Sequence, residues 1–178
     1  SEPTDVYANN KVYLSMRSSE KFKGTIEAYT YPDEFMECDG SKEVTNGLFV
    51  GQQNRNSFGL AYKTLIGNDI EGDAYGEKLH IIYGATVAPS SRDYSTVNDT
   101  PAAISFSWEF STVPAEIAPE LEKLGLKPTA YVGINLSKLE KAQVASIKDL
   151  LWGSASAPAT LPTLPELVQI IDPTILEG

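Results

Sequence analysis

The chain has 178 residues, enough for one well-buried domain and too few for two of ordinary size. It carries 24 acidic and 14 basic side chains, a formal net charge of −10. Proteins bind a phosphate backbone mainly through Lys and Arg, so this balance argues against a nucleic-acid-binding domain. Cys38 is the only cysteine, which excludes an intramolecular disulfide, and no stretch approaches the roughly 18 apolar residues of a membrane-spanning helix.

Short segments in which apolar and polar residues alternate predict a mainly antiparallel β fold. The predicted strands are residues 11–15, 20–30, 56–66, 78–87, 102–112 and 128–136. After the second strand, Pro32 suits the first position of a helix and Gly40 suits its end. This spacing predicts a helix of about two turns, in which we expect Cys38 to be a small buried apolar residue.

Two polar segments predict exposed connections. Residues 68–76, with the sequence NDIEGDAYG, are dense in Gly, Asp and Asn and predict a long loop between two strands. Four oxygen-bearing side chains in this segment resemble part of a calcium loop without its spacing, so a solvated loop is the favoured interpretation: Asn68, Asp69, Glu71 and Asp73. A second polar connection is predicted for residues 89–101.

The strand at 102–112 has the clearest alternation in the chain. Ile104, Phe106, Trp108 and Phe110 would anchor the core on one face. The opposite face carries small hydroxyls and one carboxylate, and it suits either bulk water or a water-filled lumen: Ser105, Ser107, Glu109 and Ser111. The only histidine, His80, lies among apolar neighbours, and we expect a strand residue hydrogen-bonded to a neighbour, not a metal ligand or a catalytic base.

The longest predicted helix begins at Ser137, where Ser137 and Glu140 fit a capping box, and ends before Gly153. Its apolar side is predicted to pack on a sheet. Beyond it, residues 154–178 form a Pro-rich arm, distinct from a β domain at residues 1–153. The arm contains apolar residues that should dock either on this domain or on another subunit, including Leu164, Leu167, Ile170 and Ile171.

Four blocks of the chain, in this order, resemble the major tail protein of long-tailed, siphovirus-type bacteriophages. They are GTIEAYTYPDEFMECDG from residue 24, the block at 58–90, YSTVNDTPAAISFSWEFST from residue 94, and KPTAYVGINLSKLEKAQVASIKDLLWG from residue 127. The resemblance implies an antiparallel β-sandwich or barrel-like tail-tube fold with one flanking α-helix. It also implies a further N-terminal stretch before Ser1.

The function implied by the resemblance is structural. The chain would be a virion protein that forms hexameric rings, which assemble in the host cytoplasm and stack into a hollow tail tube. Its partners would be further copies of itself and the tape-measure and tail-terminator proteins. DNA would pass through without sequence-specific binding, with no cofactor, metal or membrane involved. In such a tube the polar face at 105–111 is the candidate lumen face, and the inter-ring contacts would come from the loop at 68–76 and the C-terminal arm.

The alternative class is a carbohydrate-binding or adhesin-type β module, because the chain is acidic and has nine tyrosines. These tyrosines are scattered, and the sequence singles out no sugar-binding platform among them. An enzyme would need a cluster of titratable residues, and none is visible in the sequence. We therefore expect a protein without an active site.

Overall fold

The computed structural model describes residues 4–8, 11–16, 21–68, 72–89 and 106–177. The strands are β1 (Thr4–Ala8), β2 (Lys11–Met16), β3 (Lys23–Ala28), β4 (Lys42–Thr45), β5 (Leu48–Val50), β6 (Phe58–Asn68), β7 (Gly72–Val87), β8 (Phe106–Thr112) and β9 (Tyr131–Asn135). The α-helices are α1 (Met36–Asp39), α2 (Lys141–Trp152) and α3 (Leu164–Ile171). Short 3₁₀ turns cover Asp33–Phe35, Pro119–Leu124, Leu136–Lys138 and Pro173–Ile175.

The main sheet is antiparallel, with the order β3-β8-β7-β6, and β9 pairs with β7 as well. Two hairpins form separate two-stranded sheets, β1 with β2 and β4 with β5. The fold is therefore mainly antiparallel β with a few helices, as the alternating pattern predicts. The expectation of one flanking helix is wrong, because both α2 and α3 contribute to the core.

Strand β7 contributes side chains to two cores, because successive residues of a strand point to opposite faces, and a bulge changes this alternation after Ile82. Leu60 pairs with Ile82 and Phe58 with Ala85, so β7 carries one extra residue between these pairs. Gly84 lies in this bulge with φ 59°, and a Cβ built on it would lie 2.7 Å from the carbonyl oxygen of Val113. Glycine is required here by both the backbone angle and the close approach. The bulge places Ile82, Ala85 and Val87 in one cluster, while Leu79 and Ile81 belong to the other.

The first core lies between the sheet and the C-terminal helices. Leu79 and Ile81 of β7 cluster with Ile134 of β9, Ile147 of α2 and Leu167 of α3. Leu167 is only 2% exposed. The apolar C-terminal segment thus docks on its own domain. The prediction of an inter-ring contact at Leu167 is therefore wrong, because this side chain is buried in the first core, with Ile170 and Ile171 packed against that core. Residues 153–163 before it contain no helix or strand, as their proline content predicts.

The second core is aromatic. Trp108 of β8 is buried against Tyr31, Phe35 and Phe106, with ring centroids 5.1 to 5.7 Å apart. Its indole N–H donates a 2.8 Å hydrogen bond to the buried carboxylate of Asp39. The segment from Tyr31 to Asp39 therefore covers one side of this core. It is the strand-to-helix connection that the sequence predicts.

The short helix after β3 is confirmed as a 3₁₀ turn followed by α1, with Pro32 as the residue before the first turn. Gly40 ends α1 in the left-handed conformation, with φ 84°. Cys38 is half-buried. Its partial burial, and then the neighbouring charge of Glu37, raise the pKa of the thiol.

The predicted loop at residues 68–76 is wrong. Strand β6 continues to Asn68 and β7 begins at Gly72, with Ile66 paired to Gly76 and Asn68 to Gly72. The Gly, Asp and Asn content is typical of a loop, but backbone pairing across the hairpin outweighs this local preference. Residues 69–71 lie outside the described residues, as do most of the second predicted connection at 89–101 and the strand positions 102–105.

The predicted start of the long helix at Ser137 is also wrong. The Asn135 side chain accepts a hydrogen bond from the Ser137 backbone N–H, and residues 136–138 form a 3₁₀ turn. Leu139 is extended, so α2 begins only at Lys141. Its capping box is formed by Glu140 and Gln143 in place of Ser137 and Glu140. The predicted end before Gly153 is confirmed.

Candidate functional site

The longest unpaired sheet edge belongs to β6. Within the described chain no strand pairs with its outer side, and the strand has 11 residues. Residues 62–65 are all exposed, and Leu65 is 64% exposed. An edge of this length offers backbone N–H and C=O groups to a strand from another chain. At the opposite end of the sheet, β3 is another open edge, and β9 pairs only with β7 in the described chain.

The candidate lumen face lies where the alternation predicts it. Ser107, Glu109 and Ser111 are exposed, whereas Trp108, Phe110 and Thr112 between them are buried. The outward residues pair across the sheet with Glu27, Thr25 and Lys23 of β3, which are exposed too. Strands β3 and β8 therefore present one polar surface. Ser105 lies outside the described residues.

The β4–β5 hairpin exposes apolar side chains on a separate sheet. Val44 is 65%, Leu48 53%, Phe49 42% and Val50 42% exposed. Lys42 pairs with Val50, Glu43 with Phe49 and Thr45 with Leu48, with a bulge at Val44. Because side chains alternate between faces, Lys42, Leu48 and Val50 share one side, which we call the hairpin face. The sequence analysis missed this hairpin, although Asn46-Gly47 is a strong turn signal.

An apolar groove of about 300 Å³ lies beside α3. It is lined mainly by Ile117, Ala118, Val132, Leu164 and Pro165, with Glu116 and Tyr83 as well. The Tyr83 hydroxyl donates a 2.8 Å hydrogen bond to the carbonyl oxygen of Pro162. Burial, and then the charge of Glu166, raise the pKa of Tyr83 to about 12, which keeps it neutral. The groove is therefore apolar inside, with a carboxylate among its lining residues.

His80 lies at the centre of a small polar cluster on the opposite face of β7 from α2. Its Nδ1 is 2.7 Å from the Tyr131 hydroxyl and its Nε2 is 2.9 Å from the Thr64 hydroxyl. The Tyr62 ring stacks on the imidazole at 4.7 Å. Desolvation, and then the charge of Lys78, lower the pKa of His80. The predicted hydrogen-bonded strand histidine is confirmed.

The candidate inter-ring residues occupy different settings. Asp69 and Glu71 lie outside the described residues. Asn68 is the last residue of β6 and pairs with Gly72, and Asp73 lies in β7. Leu167 is buried in the first core and Ile170 and Ile171 pack against it, whereas Leu164 lines the groove. The structure thus does not bring this set together into one surface.

The described residues contain no group of three or more His, Cys, Asp and Glu side chains arranged to hold a metal ion. No helix among them is long and apolar enough to cross a membrane. The surfaces with interaction potential are thus the β6 edge, the β3–β8 polar face, the hairpin face and the groove. Of these surfaces, the sequence predicted only the polar face residue by residue. The alternation of a strand can be recognised in the sequence, whereas a groove between distant segments cannot.

No family model, no curated protein and no solved structure matches this chain.

Proposed function

We propose that this chain is a structural virion protein, a tail-tube subunit of a long-tailed bacteriophage. Its copies would form hexameric rings that stack into a hollow tube for DNA, with an antiparallel β-sandwich or barrel-like tail-tube fold in each subunit. The observation that carries the proposal is the long exposed edge of β6, at the end of a sheet whose other end, β3, is open as well.

An open sheet with unpaired outer strands is suited to cyclic assembly. Native proteins normally protect exposed edges, because an edge pairs with any available strand. If β6 of one copy pairs with an open edge of the next, each contact uses two edges, and a closed ring leaves neither of those two exposed. Closure converts an aggregation hazard into an assembly of defined size.

The polar face of β3 and β8 supports a role as a lumen wall. Its small hydroxyls are exposed on one surface together with the carboxylates of Glu27 and Glu109 and the ammonium of Lys23, so the acidic charges outnumber the basic one. Across the whole chain the formal net charge is −10. An acidic wall repels the phosphate backbone, so DNA slides along it without binding.

The proposed setting is a virion tail that assembles in the host cytoplasm. The partners are other copies, the tape-measure protein inside the tube and the tail-terminator protein at its end. The proposal includes no cofactor, no catalytic residue and no membrane contact, and it gives the chain a role in DNA ejection. These partners follow from the resemblance of the four sequence blocks.

Negative-stain electron microscopy of the purified chain at high concentration tests this proposal. We expect rings or hollow tubes, and we expect the Leu65→Lys variant to lose them, because an inserted charge protects an edge strand. Leu124→Lys changes an apolar residue that is 48% exposed and lies away from the sheet edges, so it serves as the matched control. A wild-type chain that remains monomeric at every concentration would overturn the proposal.

A carbohydrate-binding or adhesin-type module is the second candidate, and the His80 cluster favours it. Tyr62 is 39% exposed and stacks on His80, whose Nε2 is 2.9 Å from the Thr64 hydroxyl, which gives an aromatic surface next to hydrogen-bonding groups. Aromatic rings with neighbouring polar groups are common in small-ligand sites. Glycan screening of the wild type and Tyr62→Ala would support this candidate if binding is found and the variant loses it.

A further inference from the structure

We infer that the β4–β5 hairpin of one copy docks, through its hairpin face, into the apolar groove beside α3 of a second copy. The inference rests on the proposed function, since a tube subunit must bind copies of itself, and it names two surfaces for that contact. It is independent of the edge pairing through β6.

The hairpin has the properties of a segment that is completed by a partner. All seven of its strand residues are exposed, including three large apolar residues in succession, Leu48, Phe49 and Val50. A two-stranded hairpin alone is marginally stable in water and needs packing on one face. Contiguous exposed apolar residues on an otherwise acidic chain mark an interaction site.

The groove has the size and chemistry to receive the hairpin face. Its volume of about 300 Å³ is at the lower limit for small-molecule sites, which suits side chains better than a cofactor. Ile117, Val132 and Leu164 provide apolar contacts for Leu48 and Val50. The groove is formed by Tyr83 and by later segments of the chain, all remote from the hairpin in sequence.

Charge complementarity favours a second copy as the occupant. Lys42 lies on the hairpin face beside Val50, and Glu116 is an exposed lining residue of the groove. Copies with a net charge of −10 repel one another, so a specific Lys–Glu pair at the rim would help to set orientation. One chain carries both surfaces, which makes the contact head-to-tail and lets it repeat from copy to copy.

A charge-swap experiment tests the contact. Lys42→Glu and Glu116→Lys should each weaken self-association in sedimentation velocity by about tenfold, because each places like charges at the rim. The double variant should regain wild-type association. An equimolar mixture of the two single variants should also associate, since each hairpin then meets a groove of opposite charge. Unchanged association in both single variants, or no recovery in either combination, would overturn the inference.

Covalent capture separates this inference from the proposed function. In a Cys38→Ser background, chains with Leu48→Cys are mixed with chains carrying Ile117→Cys and treated with a short bis-maleimide. We expect cross-linked heterodimers, and we expect none from a control pair with Leu124→Cys in place of Ile117→Cys. Thermal melting of each variant confirms that it is folded.

The outcomes are distinguishable. Rings or tubes without hairpin-to-groove cross-links would overturn the inference and leave the tube proposal in place. Specific cross-links and charge-swap recovery without rings or tubes would support the head-to-tail contact and overturn the tube proposal. A chain that neither cross-links nor assembles would overturn both.

Discussion

Strand β7 and the β4–β5 hairpin are both rich in apolar residues, but they have opposite environments. Leu79, Ile81 and Ile82 of β7 are at most 1% exposed, because helices cover one face and aromatic residues cover the other. Leu48 and Val50 of the hairpin are 53% and 42% exposed. The first region stabilises the fold, whereas the second has apolar surface that packing within the described part of the chain leaves exposed. The two regions are similarly apolar, so it is the exposure of their side chains that separates a region that stabilises the fold from one that is available to a partner.

Of the variants that affect the buried cores, truncation after Gly153 should lower the stability of the fold the most. It removes Leu167 from the first core, and loss of one such side chain alone costs about 2–5 kcal/mol. We expect a large fall in melting temperature or an unfolded chain by circular dichroism. Truncation after Asp172 retains α3 and is the control. A 1–153 chain with wild-type stability would show that α3 is a dispensable arm.

Asp39→Ala should destabilise the second core by about 1–3 kcal/mol, because it removes a buried acceptor from the Trp108 indole. Asp39→Asn keeps an oxygen acceptor at the same position and should cost less. Urea unfolding followed by Trp fluorescence measures both. Equal stability of the Ala and Asn variants would show that the hydrogen bond contributes nothing.

Protonation of Glu77 in acid should lower the stability of the fold by a small amount. It forms ion pairs of 2.7 Å with Lys148 and 2.8 Å with Lys63, which link the β6–β7 hairpin to α2. The hydrogen bond from Lys148, and then that from Lys63, lower the pKa of Glu77 from 4.5 to about 2. A lowered folded pKa means that the stabilisation is complete above pH 4.5 and is lost as pH falls towards 2.

The size of this pH effect is limited, because Glu77 is 29% and Lys63 is 40% exposed. Exposed pairs contribute less than about 1 kcal/mol. Unfolding free energies measured from pH 6 to pH 3 should therefore fall slightly more for the wild type than for Glu77→Gln. Parallel curves would show that the ion pairs do not stabilise the fold.

Leu48→Ser with Val50→Ser should have the smallest effect on stability, within about 0.5 kcal/mol, because both side chains are exposed. The same double variant should lose self-association in sedimentation velocity if the hairpin face is an interface. Leu124→Ser is the matched exposed control. A melting temperature well below that of the wild type would show that the hairpin side chains stabilise the fold, as those of β7 do.

Local patterns predicted the type of the individual elements better than they predicted where each element begins and ends. Alternation in β8 identified both its buried and its exposed face, because side-chain direction in a strand follows from sequence position. Glycine content misplaced the ends of β6 and β7, since pairing between two strands depends on a partner that local composition does not include. The helix start moved from Ser137 to Lys141 for a similar reason, because the Asn135 side chain holds a turn after β9.

By itself the sequence determined the antiparallel β class, the alternation of β8, the short helix after β3 and the acidic charge. These properties depend on residue type and near neighbours. Only the tertiary structure decided that α3 belongs to the core and that the hairpin remains exposed. It alone also assembled the groove from residues as distant as Tyr83 and Leu164. Burial depends on which segments that are distant in sequence come into contact. A local residue pattern carries no information about those contacts.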